Sequence, residues 1–138
     1  MKGLIAMCVF CKIVNSEIPC FKIYETDNTL AFLDISQVTK GHTLVIPKKH
    51  YRDLLSLDPD IAKEISEAVL EVTHILKTKL GVDNFNLLNN SGPLAGQEVP
   101  HFHMHILPRY ENDGISFSKP HQPADMAVIK KIHENITK

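Results

Sequence analysis

From position 101 the chain reads His101-Phe102-His103-Met104-His105-Ile106-Leu107-Pro108-Arg109. Three imidazoles alternate with apolar side chains, and no other stretch of the sequence gathers so much reactive chemistry. In an extended strand, successive side chains point to opposite faces. His101, His103 and His105 would then share one face, spaced roughly 6.5–7 Å apart at about 3.3 Å per residue. Phe102, Met104 and Ile106 would share the other face and anchor the strand in a core. A neutral imidazole with an ordinary pKa of about 6.5 is a nucleophile, an acid–base group or a metal ligand. Two chemistries follow: covalent attack by one histidine, or a metal held by His101, His103 and His105.

Two further features carry chemistry. Asp34 follows the apolar strand end Ala31-Phe32-Leu33. A carboxylate there can accept two hydrogen bonds from a ribose diol, or merely cap a turn. Cys8 and Cys11 have the spacing of metal ligands, but such a pair is only half of a tetrahedral site. A thioredoxin-like redox pair would need a βαβ context, which the pattern lacks, and a pair of reduced, metal-free thiols is the other alternative. His50 and His101 are the candidates to complete a site.

The elements that must position these groups read as α+β. Residues 8–15 suggest a short helix or turn, and 21–25, 29–33 and 43–46 suggest strands. Residues 51–55 suggest a short helix. Asp58 can cap a long helix that has Pro59 in its first turn and Gly81 at its end. Ile61, Ile65, Ala68, Val72, Ile75 and Leu76 line one side of it at helical spacing. A fourth strand is expected over 85–88, a polar loop over 89–97, a fifth strand over 101–107 and a terminal helix over 124–136. The expectation is one domain over 1–138, with a five-stranded, mostly antiparallel sheet, one long helix and short terminal helices.

Composition narrows the function classes. With 15 Lys and Arg against 16 Asp and Glu, the formal charge is −1, which gives no electrostatic case for nucleic acid or an anionic membrane. The apolar run over residues 3–10 is far too short to span a bilayer and lacks the order of a secretory signal. Met7 could be an alternative start, leaving 1–6 as a ragged end. Three cysteines give no disulfide framework, so a cytoplasmic setting is expected.

The histidine segment, with Ala31-Phe32-Leu33-Asp34-Ile35-Ser36, Gly41-His42-Thr43-Leu44-Val45-Ile46-Pro47 and the Asn89-Asn90 and Gly96-Gln97 pairs, resembles the histidine-triad (HIT) family of nucleotide hydrolases and transferases. It is most similar to the Hint-like bacterial branch with an N-terminal CxxC. The resemblance implies that His103 is the nucleophile, attacking an α-phosphorus to form a nucleotidyl-histidine. His105 and His42 would flank the phosphate, with Gln97 and Asn90 beside it. Val9, Phe10, Ile13, Phe32 and Ile35 would sandwich the base, and Asp34 would hold the ribose. Glu98 departs from the Ser or Thr common at its position. Related bacterial members use Cys, Cys, His and the first triad histidine around zinc, which implies a structural zinc on Cys8, Cys11, His50 and His101.

The expected substrate is a purine nucleotide, either a nucleoside phosphoramidate or a dinucleoside polyphosphate, and the expected assembly is a homodimer through the long helix and the fourth strand. A metal-dependent phosphohydrolase and a non-catalytic nucleotide-binding module are the alternatives.

Overall fold

A computed structural model describes residues 8–118 and 122–138. The Met7 start and the ragged end over 1–6 lie outside the described residues. The elements run α1 (Val9–Val14), β1 (Lys22–Glu25), β2 (Thr29–Leu33), β3 (Thr43–Pro47), α2 (Pro59–Leu80), β4 (Phe85–Leu88), β5 (Met104–Pro108) and α3 (Met126–Thr137). The five strands form one sheet in the order β1-β2-β3-β5-β4. Every neighbouring pair is antiparallel, as expected for an α+β chain of this pattern.

The long helix forms where its sequence signals put it. Asp58 accepts hydrogen bonds from the amides of Asp60 and Ile61, Pro59 occupies the first turn, and Gly81 closes the helix in the left-handed conformation at φ +69°. That φ favours glycine, which has no Cβ to clash. Its buried residues are Ile65, Ala68, Val69, Val72 and Leu76. They pack on Ala31, Val45, Phe102 and Ile106 from one face of the sheet. Truncating one of the larger residues, as in Leu76→Ala, would cost about 2–5 kcal/mol of stability through lost burial and the cavity left behind.

The opposite sheet face carries Leu30, Phe32, Leu44 and Ile46, which pack with Phe10 of α1. This second face also builds the site. His105 lies directly opposite Leu44 of β3 and Leu88 of β4 in the strand registers, and paired residues share a face.

Three departures from the sequence expectation exceed a single residue. The last strand begins at Met104, not at 101. The Phe102 N–H donates to the Tyr51 carbonyl at 2.6 Å instead of to a neighbouring strand, so the first two triad histidines precede the ladder. The alternation of faces survives, because Phe102 still packs under α2. Residues 51–55 do not form a helix: a 3-10 turn occupies Leu54–Ser56, where Asp53 and Ser56 close a reciprocal capping box. Asp58 then starts α2 almost at once. The terminal helix starts at Met126, because Asp125 caps it by accepting from the Ala127 amide. Its apolar residues lack cover among the described residues, and even Ile129 is 42% exposed. No described helix is long and apolar enough to cross a membrane.

Candidate active site

The site grows from the junction of β3, β5 and the loops at their ends. His103 is buried at 7% exposure, and its Nδ1–H donates to the His101 carbonyl at 2.7 Å. In a neutral ring this leaves Nε2 without a proton and with its lone pair free. The Asn89 side-chain amide donates to the His103 carbonyl at 3.0 Å and so fixes the backbone beneath the ring.

His42 and His105 form a second, directional pair. The Val38 amide donates to Nδ1 of His42 at 3.2 Å, so the proton of that ring sits on Nε2. His42 Nε2–H then donates to Nδ1 of His105 at 2.9 Å. The proton of His105 is left on its own Nε2, as a donor. Burial is the main cause that lowers the pKa of His42, against the raising effect of Asp34. Burial, then the charges of His103 and His42, lower that of His105 to about 4. Both rings are therefore neutral donors near pH 7.

Asp34 stands at the end of β2, with Oδ1 accepting from the Ser36 amide at 2.8 Å and Oδ2 3.6 Å from His42 Nε2. The loop between them is tied by Gln37, which donates to the carbonyls of Asp34 and His42 and accepts from the Gly41 amide. Gly41 has φ +91°, and a Cβ there would come within 2.5 Å of Leu80 on α2. Glycine at this position lets the loop press onto the helix and deliver His42.

Two cavities meet here. One of about 460 Å³ is lined by Phe10, Asp34, His42, Asn90, Glu98, His103, His105 and Phe117, among others. The other, of about 230 Å³, is mostly apolar and is lined by Val9, Phe10, Ile13, Phe32, Asp34 and Ile35, among others. Phe10, Asp34 and Leu44 belong to both. The shape suits a base in the smaller cavity, a phosphate in the larger one and a sugar beside Asp34.

Gln97 stands between Gly96 and Glu98 of the larger cavity's lining, with its side-chain amide turned to the loop backbone. Its Oε1 accepts from the Gly92 amide at 2.8 Å, while Nε2 donates to the carbonyls of Arg52 and Val99. Both of its N–H groups are used to brace the loop, and it is not among the residues lining either cavity.

Phe117 lines the larger cavity and Asn89 braces the His103 carbonyl, and neither is among the site residues expected from sequence. Phe117 reaches the larger cavity because Arg109 forms a two-bond pair with Asp113 and also binds the Ile115 carbonyl, folding the segment after β5 back on itself. The i,i+4 pairing of Arg109 and Asp113 was the available signal. Nothing in local sequence marked Asn89 rather than its neighbour.

The Cys8, Cys11, His50 and His101 side chains converge on one point. The four Sγ–Nδ1 separations are 3.3–3.6 Å, close to the ~3.5 Å edge of a tetrahedron built from ordinary zinc–sulfur and zinc–nitrogen bonds. The Sγ–Sγ edge of 3.2 Å is shorter and would open slightly. His101 is wholly buried, and its Nε2–H donates to the Pro47 carbonyl at 2.8 Å. That bond turns the Nδ1 lone pair towards the thiols, as outer-shell partners do for metal-bound imidazoles. Burial, then Cys8, pushes the Cys11 thiol up to about 11. Such a thiol becomes a ligand by exchanging its proton for a cation. The four residues fit a closed Cys2His2 zinc site.

His101, His103 and His105 do not converge as a ligand set, since their Nδ1 atoms face the thiols, a carbonyl and His42 respectively. Among the described residues the three triad imidazoles are thus not gathered as the ligand set that the metal-dependent alternative needs. Asp34, His42 and His105 do lie close together, but the Val38 amide keeps a proton on His42 Nε2, where a metal would need a lone pair.

Known proteins share this fold. The HIT-domain family profile matches residues 15–112. Adenosine 5'-monophosphoramidase hnt1 of Schizosaccharomyces pombe is 41% identical over 131 residues, covering 94% of this chain and 96% of that protein. A HIT family protein from Bacillus anthracis superposes with a TM-score of 0.84 at 50% identity, covering 94% of each chain. A zinc-bound histidine triad family protein from Mycobacterium smegmatis does so with a TM-score of 0.75 at 38% identity, covering 82% of each. With a family match across most of its length and the same fold in its relatives, the chain belongs to the HIT family.

Proposed function

We propose that this protein is a nucleotide hydrolase that cleaves nucleoside 5'-phosphoramidates through a nucleotidyl-histidine intermediate on His103. The observation that carries the reading is the 2.7 Å bond from His103 Nδ1–H to the His101 carbonyl, which turns a free Nε2 lone pair to the cavity. Nε2 attacks the α-phosphorus, the phosphorus–nitrogen bond breaks with its electron pair going to nitrogen, and the amine leaves after taking a proton from solvent. Water then cleaves the phosphorus–histidine bond, releasing the nucleoside monophosphate. Splitting the displacement in two replaces one hard step by two easier ones. His105 Nε2–H donates to the phosphate, and His42 holds His105 in that tautomer. Such preorganised donors stabilise charge as it shifts to the phosphoryl oxygens.

Charge in the larger cavity favours a phosphoramidate over a dinucleoside polyphosphate. Its described lining holds two carboxylates, Asp34 and Glu98, and neither Lys nor Arg. A phosphoramidate with an uncharged or cationic leaving amine brings one negative charge. A polyphosphate leaving group would bring several towards Glu98 with no cation to meet them. The phosphoramidase name of the fission yeast relative points the same way.

The nucleoside role of Asp34, Asn90 and the Val9, Phe10, Ile13, Phe32 and Ile35 pocket belongs to the same reading, as does a structural zinc, supported by the zinc-bound relative. Gln97 acts by bracing the loop before His101. The assembly is a homodimer in the cytoplasm. β4 is an edge strand, and an apolar groove of about 470 Å³ runs between it and α2 past Val69, Leu70, Phe85 and Leu87. An uncovered edge with apolar neighbours is commonly closed by a second copy. Light scattering should give twice the 15.5 kDa chain mass; a monomer mass would remove the dimer.

The decisive experiment for the reaction is denaturing mass spectrometry after rapid mixing with adenosine 5'-phosphoramidate. An adduct of one adenylyl group on the wild type, absent from His103→Ala, is the expected result. Near-wild-type turnover in His103→Ala would overturn the assignment.

A further inference from the structure

The metal cluster and the nucleophile are two residues apart, and a carbonyl joins them. His101 is held at four polar positions. Its Nδ1 faces the thiols of Cys8 and Cys11, its Nε2–H donates to Pro47, its N–H donates to the Val99 carbonyl at 2.9 Å, and its carbonyl accepts from His103 Nδ1–H. The sheet does not hold this segment, since β5 begins only at Met104. The direction of the His103 ring therefore depends on how firmly His101 is fixed.

A second link runs through α1. Cys8 caps this six-residue helix and Cys11 lies within it. Between them is Phe10, whose ring stands edge-on to His103 at 5.1 Å between centroids and to Phe32 at 5.7 Å. A helix this short does not persist on its own propensity. Fastening both its cysteines to His50 and His101 would hold Phe10 against the nucleophile and in the wall of both cavities.

We propose that Cys8, Cys11, His50 and His101 form a positioning site for the reaction, fixing the tautomer and direction of His103 through the His101 carbonyl and pressing Phe10 on its ring. The inference rests on the reading of this cluster as a metal site. A ligand lost from the cluster frees the His101 peptide to rotate. His103 then samples the tautomer with its proton on Nε2, which cannot attack. Misplacements of about 1 Å are enough to cost a catalytic group as much as 10²-fold in rate.

The test uses the whole protein labelled with nitrogen-15 in histidine, as purified with its metal, compared with His50→Ala and His50→Cys. His50→Cys keeps four ligands and serves as the rescue. Proton–nitrogen correlation spectra report the His103 tautomer, calorimetry reports AMP affinity, and steady-state kinetics separates kcat from KM. In the wild type and His50→Cys, His103 should be protonated at Nδ1. In His50→Ala the spectrum should shift to a tautomer mixture, with kcat down about tenfold or more and AMP affinity down less.

Should His50→Ala fail to fold, brief chelation of the wild type, with circular dichroism confirming the fold, supplies the same comparison. An unchanged tautomer and kcat in a folded, metal-depleted protein would overturn the proposal, as would a freshly purified protein that neither contains nor takes up zinc. If the tautomer follows the metal but no phosphoramidate is hydrolysed, the positioning role stands and the proposed reaction falls.

Discussion

The two histidine clusters lie side by side and use the same side chain for opposite ends. In the cluster with the cysteines, His50 and His101 turn Nδ1 inwards to a common point shared with two thiols. In the other, His42 and His105 bond to each other, and His103 leaves Nε2 unbonded toward a cavity. Burial is the leading cause of a low pKa in both clusters, at about 4 for His101 and about 4 for His105. Burial therefore does not separate a ligand from a catalytic group. The partner of the second ring nitrogen does: Pro47 for His101, the His101 carbonyl for His103, and the Val38 amide, relayed through His42, for His105.

The sharpest way to break this contrast is to remove one side chain from each cluster. His103→Ala should lower phosphoramidate turnover by about 10³-fold or more, as expected when a nucleophile is lost, while AMP binding and thermal stability stay near wild type. A Cys8→Ala change should instead lower thermal stability as well as turnover. If His103→Ala also unfolded the protein in a melting experiment, the division between a reactive and a structural cluster would fail.

A smaller effect is expected at Asp34, which belongs to the open cluster. Binding of AMP compared with its 2',3'-dideoxy analogue should differ by roughly 1.5–3 kcal/mol, the range for a hydrogen bond to a charged group. Equal affinities in calorimetry would leave Asp34 as only a loop residue. On the cysteine side, gentle metal removal should lower the melting temperature by about 10 °C, since zinc that binds only the folded state adds a few kcal/mol. Calorimetric melts before and after chelation read this directly, and coincident melts would strip the cluster of its structural role.

The smallest effect, in mild acid at about pH 6, follows from the depressed pKa values of His42 and His105. The unfolded chain titrates at the ordinary value of about 6.5, while folded His105 resists protonation until about pH 4. Between those limits the unfolded state binds more protons, so stability is fully present above pH 6.5 and declines as the pH falls towards 4. Urea unfolding at a series of pH values should show that slope, flattened in a His105→Gln variant. A flat wild-type profile would show that these rings are not buried neutral.

The strong periodic elements could be read from sequence because each is defined within a few residues of itself. α2 declares its cap at Asp58, its stop at Gly81 and its apolar stripe between them. The alternation of 101–106 places Phe102 and Ile106 under that helix even though the strand begins later. In the 51–55 segment the Asp53–Ser56 capping box closes a single 3-10 turn, and the chain is extended again at Leu57, a stop that the local sequence does not mark. The resemblance implies Gln97 at the phosphate, while in the fold its amide bonds three backbone groups, one of them 45 positions away. Phe117 enters the cavity by a fold-back whose local sign is the i,i+4 spacing of Arg109 and Asp113.

By itself the sequence determined which residue types were available and in what register: three imidazoles on one side of an extended segment, a CxxC, and a carboxylate at a strand end. Tertiary structure alone decided their protonation and their roles. A histidine tautomer is set by hydrogen bonds to partners remote in the chain, as Pro47 is to His101 and His42 is to His105. Those bonds exist only once β3 and β5 lie side by side.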